Sequence, residues 1–367
     1  MEATEEMAME EAEATAAPEE MAMGGVDSLC LITDVGRVND GTFNQYAHEG
    51  ALRAQEDFDL EYTFIETEAE TDYASNIQTC VDEGFDVIVT VGFLIQDATA
   101  EAAVANPDIY FVGIDQYVVD GPENFVGIQF REDQAGFLVG VMAALVANEN
   151  DSDVIAGVYG IDVPAVKRYR NGYEQGALYV NPEWEVGTNI LGAYADSFSD
   201  QAQGVSLAQQ FIGEGASVIF GAGGPLGSAA IAEAASQGIF VIGVDQDEYF
   251  TTFDNGSGEG AEFLITSALK RVDQGVYDMV AAVVEGRMED FPGGNNYLLD
   301  AERAGVGFAE AHDAAVSEDI TAQVNDVLAG LVDGSISTGV DPVSGDLEAA
   351  SDEAAMEATA EATAEAE

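Results

Sequence analysis

Three aspartates and one lysine have the types and positions needed to bind a small molecule that carries hydroxyl groups. Asp34, Asp115 and Asp245 each come directly after a short apolar run. Lys270 is one of only two lysines, and its surroundings, LITSALKRV, are largely apolar. An ammonium group neutralises a carboxylate and donates to ligand oxygens, and each charge-assisted hydrogen bond contributes about 1.5–3 kcal/mol. These four residues are therefore candidates for a ligand site.

Aromatic and amide side chains complete the set of candidates. The stretch SLCLITDVGRVNDGTFN takes an apolar run to Asp34 and then a turn rich in Gly, Asn and Asp to Phe43 and Asn44. Phe93 and Phe198 also follow predicted strand ends. Two rings can enclose a flat ligand, and a ring pair adds about 0.5–1.5 kcal/mol beyond area burial. The predicted ligand-binding residues are Asp34, Phe43, Asn44, Asp115, Phe198, Asp245 and Lys270.

Each of these residues also has an ordinary structural explanation. Gly, Asn and Asp are common in turns, and an Asp that follows a strand is often only the cap of the next helix. Lys270 could be a helix residue that pairs with a surface acid, and most phenylalanines serve the core. The sequence alone leaves these alternatives open.

The elements that must position the candidates form a repeating pattern. From Asp27 onward, apolar strands alternate with amphipathic helices, and the alternation starts again after Phe130. This predicts an α/β fold of two lobes, each a parallel sheet with helices on both faces, separated by a cleft. Carboxyl ends of parallel strands lie at one edge of a sheet, where such folds bind ligands. We therefore expect the strand-end acids to converge on the cleft.

The composition excludes several classes of partner. The chain has 367 residues with 70 Asp and Glu against 10 Lys and Arg, a net charge of −60. Such a surface repels nucleic acid phosphates and anionic lipid. It is typical of a halophilic protein whose charges are screened by salt, although an acid-rich lineage without a salt requirement is an alternative. No apolar run reaches the roughly 18 residues that a membrane-spanning helix needs.

The two cysteines and the chain ends are the remaining features of the composition. Cys30 and Cys80 form no metal-binding pattern; they could pair, but we expect two buried thiols that act as small apolar residues. The termini are rich in Glu and Ala, and nothing in them can build a core. We predict a disordered acidic spacer over residues 1–26 and a disordered acidic tail over residues 341–367.

A glycine-rich motif suggests a different class of protein. FGAGGPLG places Gly221, Gly223 and Gly227 between a strand and a helix, and Asp245 ends the next strand. This resembles a dinucleotide fingerprint, which would make the protein an NAD-dependent oxidoreductase. Against this alternative, Pro225 occupies the turn and the acidic field opposes a diphosphate.

Four separated motifs resemble the basic membrane protein family of bacterial substrate-binding lipoproteins, which includes purine nucleoside receptors of ABC importers. The similarity extends from about Leu29 to Gly339. Its main carriers are TDVGRVNDGTFNQYAHEG, FVGIQFREDQAGFLVGVMAA, FGAGGPLG with VIGVDQD, and LITSALKRVD.

The resemblance implies a two-lobed type I periplasmic-binding fold with three crossings between the lobes. Lobe 1 would contain residues 27–130 and about 262–290, and lobe 2 residues 131–261 and about 291–340. In nucleoside-binding members an Asp and a Phe of the first motif hold the base, and these match Asp34 and Phe43. The acid and lysine that hold the ribose match Asp245 and Lys270. Asn44, Asp115 and Phe198 are added from their positions at strand ends.

The implied function is that of an extracytoplasmic solute-binding protein that delivers a purine nucleoside to an ABC permease. We expect a monomer with no enzymatic activity, no cofactor and no bound metal. Another ligand in the same fold, such as a different nucleoside, a sugar or a flavin-like ring, is the alternative. Cys30 lies too deep in the first strand to be a lipid-bearing cysteine, so we expect the lipid anchor to lie upstream of Met1 in the precursor.

Overall fold

The computed structural model describes residues 25–348, which form twelve strands and nine α-helices. The strands are β1 (Ser28–Val35), β2 (Glu61–Thr67), β3 (Val87–Val91), β4 (Tyr110–Ile114), β5 (Phe125–Phe130), β6 (Ile155–Tyr159), β7 (Ile190–Tyr194), β8 (Val218–Ala222), β9 (Phe240–Asp245), β10 (Leu264–Lys270), β11 (Asn296–Leu299) and β12 (Val306–Phe308). The helices are α1 (Phe43–Phe58), α2 (Tyr73–Glu83), α3 (Gln96–Ala105), α4 (Glu132–Glu149), α5 (Pro164–Val180), α6 (Gln201–Gly213), α7 (Pro225–Ser236), α8 (Val272–Val284) and α9 (Glu318–Asp333).

Two six-stranded sheets form the centres of two lobes. The strand orders are β11-β5-β4-β3-β1-β2 in lobe 1 and β12-β10-β9-β8-β6-β7 in lobe 2. All neighbouring strands run parallel except β12, which is antiparallel to β10. The central strands are fully buried, as expected of parallel sheets covered by helices. The predicted α/β fold of two parallel-sheet lobes is confirmed.

The two lobes exchange a helix. The last parallel strand of the lobe 1 core, β5, leads into α4, which packs against α5 of lobe 2. Likewise β10 of lobe 2 leads into α8, which packs against α1 of lobe 1. Glycines make the first contact close, because a Cβ at Gly136 or Gly140 would overlap a backbone carbonyl of α5, and a Cβ at Gly172 or Gly176 one of α4. Each lobe therefore depends on a helix that is supplied by the other sheet's strand.

The boundaries expected from the sequence need two corrections. The resemblance places residues 262–290 in lobe 1, but β10 pairs with β9 and belongs to lobe 2, leaving only α8 in lobe 1. It places residues 291–340 in lobe 2, but β11 pairs with β5 and extends the sheet of lobe 1. Strand pairing decides lobe membership, and an apolar pattern does not reveal which strand a segment will join.

The three crossings between the lobes are tied to one another by main-chain hydrogen bonds. The N–H of Arg131, on the first crossing, donates to the carbonyl of Leu299 at 3.1 Å, and the N–H of Arg271, on the second, donates to Gly305 at 2.8 Å. Leu299 and Gly305 are the two ends of the third crossing. Each arginine also makes a two-pronged bond with the aspartate two residues later. The crossings therefore form a compact hinge.

Two further expectations differ from the structure. Cys30 and Cys80 form a disulfide between β1 and α2, with Cα atoms 6.1 Å apart, so the prediction of two free thiols is wrong. The side of β1 that carries Cys30 faces α2, which brings the two residues together. Among the described residues no helix combines the length and apolar character that crossing a membrane requires.

The segment that follows α9 ends in an ordered turn. Residues 340–348 form what we call the C-terminal strap, and an antiparallel bridge between Val340 and Leu347 closes its turn. Asp341 accepts hydrogen bonds from the N–H groups of Val343 and Ser344, as in an Asx turn. The expected disorder of residues 341–348 is therefore wrong. The prediction for residues 1–24 and 349–367 lies outside the described residues.

Candidate functional site

A cleft between the lobes brings together all seven residues that the sequence nominated. It encloses an empty volume of about 800 Å³, part of which is open to solvent. Its walls come from the carboxyl ends of strands in both sheets and from the N-terminal turns of α1 and α5. The predicted residues on its lining are Asp34, Phe43, Asn44, Asp115, Phe198, Asp245 and Lys270. Phe93, Asp40 and Tyr169 line it as well.

Asp34 lies near the carboxyl end of β1 with one oxygen committed to the protein. Its Oδ1 accepts hydrogen bonds from the hydroxyl of Tyr73 and the N–H of Val35. No described group donates to Oδ2, which lies beside Gly92, where a Cβ would come within 2.5 Å of it. Burial raises the pKa of Asp34 to about 6, although the Tyr73 hydroxyl opposes this rise. The carboxylate is thus suited to accept from a ligand donor.

Asn44 acts mainly on the shape of the first turn. Its Oδ1 accepts from the N–H of Asp34 at 2.9 Å, and its Nδ2 donates to Asp40 at 3.0 Å. Asp40 also accepts from the N–H groups of Thr42, Asn44 and Gln45, which satisfies the start of α1. Asn44 therefore borders the cleft while holding Asp34 and Asp40 in place.

Asp115 and Lys270 form the charged floor of the cleft. Lys270 Nζ lies 2.7 Å from Asp115 Oδ2 and 2.8 Å from Glu132 Oε1, and its side chain is 2% exposed. Burial alone would lower the pKa of Lys270, but Asp115, Glu132 and Asp245 outweigh it and raise the pKa to about 12. Asp115 Oδ1 is buried and accepts no hydrogen bond from any described residue. A buried acceptor of this kind is costly unless a ligand or water satisfies it.

Asp245 stands opposite Asp115 in the second sheet. Both residues adopt a left-handed backbone conformation, with φ of 61° at Asp115 and 65° at Asp245. Sparsely populated conformations of this kind concentrate at ligand sites. The Tyr169 hydroxyl donates to Asp245 Oδ1 at 3.2 Å. Burial raises the pKa of Asp245 to about 7, and Lys270 offsets only part of this rise.

Three aromatic rings line the same cleft from different elements. Phe43 opens α1, Phe93 follows β3 and Phe198 follows β7. The ring of Phe43 has its centroid 4.8 Å from Lys270 Nζ, a cation–π distance. The cleft therefore combines apolar faces with carboxylates and one ammonium group.

The open side of the cleft is bridged by two hydrogen bonds between the lobes. In the loop after β9, Gln246 Nε2 donates to the carbonyl of Thr42 at 3.3 Å, and Thr251 Oγ1 donates to the carbonyl of Gly41 at 3.0 Å. Both acceptors belong to the lobe 1 turn before α1. The lobes thus meet on the side opposite the hinge.

Sequence reasoning missed Glu132, which is wholly buried beside Lys270. Burial alone would raise the pKa of Glu132, but Arg168 and Lys270 outweigh it and hold the pKa below its ordinary value. An internal repeat was the available signal. FREDQAG, which starts at the last residue of β5, matches KRVDQG, which starts at the last residue of β10, and GIDQ matches GVDQ. In this alignment Lys270 replaces Phe130, and Glu132 replaces Val272, so two charges appear where the other copy is apolar.

The glycines of FGAGGPLG are accounted for by packing. A Cβ at Gly221 would lie 2.6 Å from the carbonyl oxygen of Gly227, and a Cβ at Gly227 would lie 2.7 Å from that of Gly221. The two residues let α7 approach β8 closely. Gly223 similarly faces the backbone of Gly160 on the neighbouring strand turn. This spacing is explained without a bound dinucleotide.

Two parallel-sheet lobes, three crossings and an interlobe cleft lined by strand-end polar groups define the class of two-lobed solute-binding proteins. Within this class the chain belongs to the family described as "ABC transporter substrate-binding protein PnrA-like", whose match covers residues 28–336. The family consists of substrate-binding proteins of ABC transporters rather than enzymes.

Individual relatives and a solved structure agree with this assignment. The chain is 31% identical over 326 residues to the CD4+ T-cell-stimulating antigen of Listeria monocytogenes, covering 84% of this chain and 87% of the relative. It is 30% identical over 324 residues to the ABC transporter nucleoside-binding protein BmpA of Lactococcus lactis, with coverage of 84% and 87%. The crystal structure of ABC transporter solute-binding proteins from Aeropyrum pernix K1 superposes with a TM-score of 0.74 at 26% identity, covering 85% of this chain and 92% of that one.

Proposed function

We propose that this protein binds a purine nucleoside in the interlobe cleft and delivers it to an ABC permease. The observation that carries this proposal is the composition of the cleft. Unpartnered carboxylate oxygens of Asp34 and Asp115, one ammonium group and three aromatic rings surround the same space. A flat base with N–H donors and a ribose with a diol matches these groups.

The two ends of the ligand would meet different residues. Asp34 would accept from an N–H of the base, while Phe43 and Phe198 would cover its faces. Asp245 would accept hydrogen bonds from the ribose hydroxyls, and Lys270 would donate to them. Each charge-assisted bond is worth about 1.5–3 kcal/mol. The nucleoside-binding relative from Lactococcus lactis, similar over most of both chains, supports this choice of ligand class.

The charge of the cleft favours an uncharged ligand over a phosphorylated one. Asp34, Asp40, Asp115 and Asp245 line the cleft together with the single ammonium of Lys270, which is already paired. A phosphate group would be repelled by these carboxylates. We therefore expect nucleosides to bind much more tightly than nucleotides or NAD.

Closure of the lobes would produce the form that the permease recognises. The hydrogen bonds of Gln246 and Thr251 to the opposite lobe offer a contact that only a closed cleft makes. We further propose that the protein acts as a monomer outside the cytoplasmic membrane. Its full-length precursor would carry the lipid anchor. The net charge of −60 suits a saline environment.

Calorimetric titration with inosine, guanosine, adenosine and NAD in high salt tests the proposal. We expect binding of at least one purine nucleoside and none of NAD. Asp245→Ala should weaken nucleoside binding by at least about tenfold, or about 1.4 kcal/mol. Asp97→Ala, an exposed acid on the first turn of α3, is the matched control. Binding of NAD but of no nucleoside, or equal affinities for the two variants, would refute the ligand or the site respectively.

A further inference from the structure

A continuous chain of charged groups runs from the cleft to the far side of α5. Asp115 Oδ2 lies 2.7 Å from Lys270 Nζ, and the same ammonium lies 2.8 Å from Glu132 Oε1. Glu132 Oε2 lies 2.5 Å from Arg168 Nε. The chain joins lobe 1, the first and second crossings and α5, and all four side chains are at least nine-tenths buried.

Both oxygens of Glu132 face cations: Oε2 accepts from Arg168 Nε, and Oε1 forms an ion pair with Lys270 Nζ. Glu132 is 0% exposed and is absent from the cleft lining, whereas its neighbour Lys270 lies on that lining. An ammonium group has three N–H donors. Asp115 Oδ2 accepts from one of them, and the ion pair with Glu132 Oε1 at 2.8 Å holds the ammonium group beside Glu132. Glu132 therefore helps to set where the ammonium group of Lys270 lies.

Arg168 in turn is held by the C-terminal strap. Its Nη1 donates to the carbonyls of Pro342 at 3.3 Å and Val343 at 3.0 Å. Asn171 Nδ2 on the same helix donates to Gly345 O at 2.6 Å. Residues 340–348 are absent from the lining of the cleft, although Val343 and Ser344 line an adjoining pocket together with Phe93 and Asp115. They complete the coordination of the guanidinium that pairs with Glu132.

We propose that Glu132 is a positioning residue for the ligand-binding ammonium of Lys270, and that the C-terminal strap sets the position of Glu132 through Arg168. The part of this inference that concerns affinity rests on the proposed nucleoside ligand. A segment beyond the last helix would then tune binding in a cleft whose lining it does not join. Removing a partner from a buried charge chain forces the others to shift or to lose their bonds, which gives the coupling its physical basis.

Two glycines of similar backbone conformation allow a matched test that leaves every charge in place. Gly345 has a φ of +78°, and a Cβ there would press on Pro164 O at 2.8 Å and Arg168 N at 2.9 Å. Gly339 has a φ of +67° with nothing within 4 Å. Gly345→Ala should therefore lift the strap, while Gly339→Ala imposes comparable backbone strain without that contact.

Calorimetry with inosine and with hypoxanthine measures the ribose contribution separately from the base. We expect Gly345→Ala to weaken inosine binding about fivefold relative to Gly339→Ala, with hypoxanthine changed by less than about twofold. Glu132→Gln should weaken inosine binding by at least about tenfold, or about 1.4 kcal/mol. If the Gln variant does not fold, the two glycine variants decide. Equal inosine affinities for Gly345→Ala and Gly339→Ala would overturn the proposal. Equal weakening of inosine and hypoxanthine binding by Gly345→Ala would also overturn it, because a purely structural role affects both ligands alike.

A second measurement needs no ligand. The chain has only two lysines, so ¹⁵N labelling of lysine gives two side-chain signals, from the buried Lys270 and from Lys167 at the strap. In ligand-free protein we expect Gly345→Ala, but not Gly339→Ala, to shift or broaden the Lys270 ammonium signal. An unchanged Lys270 signal would overturn the positioning role. Failure of wild-type protein to bind any nucleoside, with that shift present, would instead refute only the proposed ligand.

Discussion

Replacing Asp245 by asparagine should stabilise the ligand-free protein, and increasingly so as the pH rises. Burial raises the pKa of this carboxyl from 3.8 to about 7 in the folded chain. Between these two values the unfolded chain gives up its proton while the folded chain keeps it, so the free energy of unfolding falls as pH rises. Above pH 7 the folded carboxylate is ionised and the cost levels off at roughly 4 kcal/mol.

The quantity to measure is how much more Asp245→Asn stabilises the protein at pH 8 than at pH 5. From pH 5 to pH 8 the cost of ionising Asp245 grows by about 2–3 kcal/mol. Asparagine preserves the acceptor for the Tyr169 hydroxyl, and Lys270 retains Asp115 and Glu132 as partners. The stability gained by Asp245→Asn at pH 8 should therefore exceed that at pH 5 by about 2–3 kcal/mol.

Urea unfolding of ligand-free protein at the two pH values, at constant salt, measures this difference. Asp97→Asn is the control, because this acid is exposed at the start of α3 and should show no such growth. The same variant of Asp245 should lose nucleoside affinity, since it trades a charged acceptor for a neutral amide. A gain that is equal at both pH values, or larger at pH 5, would refute the assignment of a buried, costly carboxylate.

Three further outcomes follow from the described contacts. Tyr73→Phe removes the hydroxyl that holds down the pKa of Asp34, so inosine binding should weaken more between pH 8 and pH 6 than in wild type, as followed by calorimetry. Gly140→Ala should lower the free energy of unfolding by about 1–3 kcal/mol because α4 and α5 must separate, whereas Gly213→Ala, in open space, should not. Reduction of the disulfide, which closes a loop of 50 residues, should cost about 2–4 kcal/mol in urea unfolding.

Each of these three predictions can be contradicted by a specific result. Inosine binding with the same pH profile in Tyr73→Phe and wild type would mean that this hydroxyl does not tune Asp34. Equal urea midpoints for the two glycine variants would contradict close contact between α4 and α5. An unchanged midpoint after reduction, verified by thiol titration, would show that the disulfide constrains the unfolded chain too little to matter.

The sequence predicted those features that local pattern determines. Short apolar runs that end in an acid located Asp34, Asp115 and Asp245 at one edge of each sheet, because strand direction alone decides which end faces the cleft. The rarity of lysine singled out Lys270. The alternation of strands and helices was sufficient to predict two parallel-sheet lobes.

Features that depend on distant pairing were not predicted correctly. The lobe membership of β10 and β11 is decided by hydrogen bonds to strands far away in the chain. The Cys30–Cys80 pair depends on how α2 lies on β1. Glu132 looks like an ordinary helix-start acid in its local sequence, and its burial between two cations depends on distant parts of the chain.

The exchange of α4 and α8 makes the two halves of the polypeptide inseparable. A gene fragment that stopped at Phe130 would encode most of one sheet but neither the helix that covers α1 nor the edge strand β11. A protease that cut the third crossing between Leu299 and Val306 would leave a C-terminal piece that is still held by the pairing of β12 with β10 and by the packing of α9 on α4. The architecture is therefore unsuited to shuffling of its halves as modules.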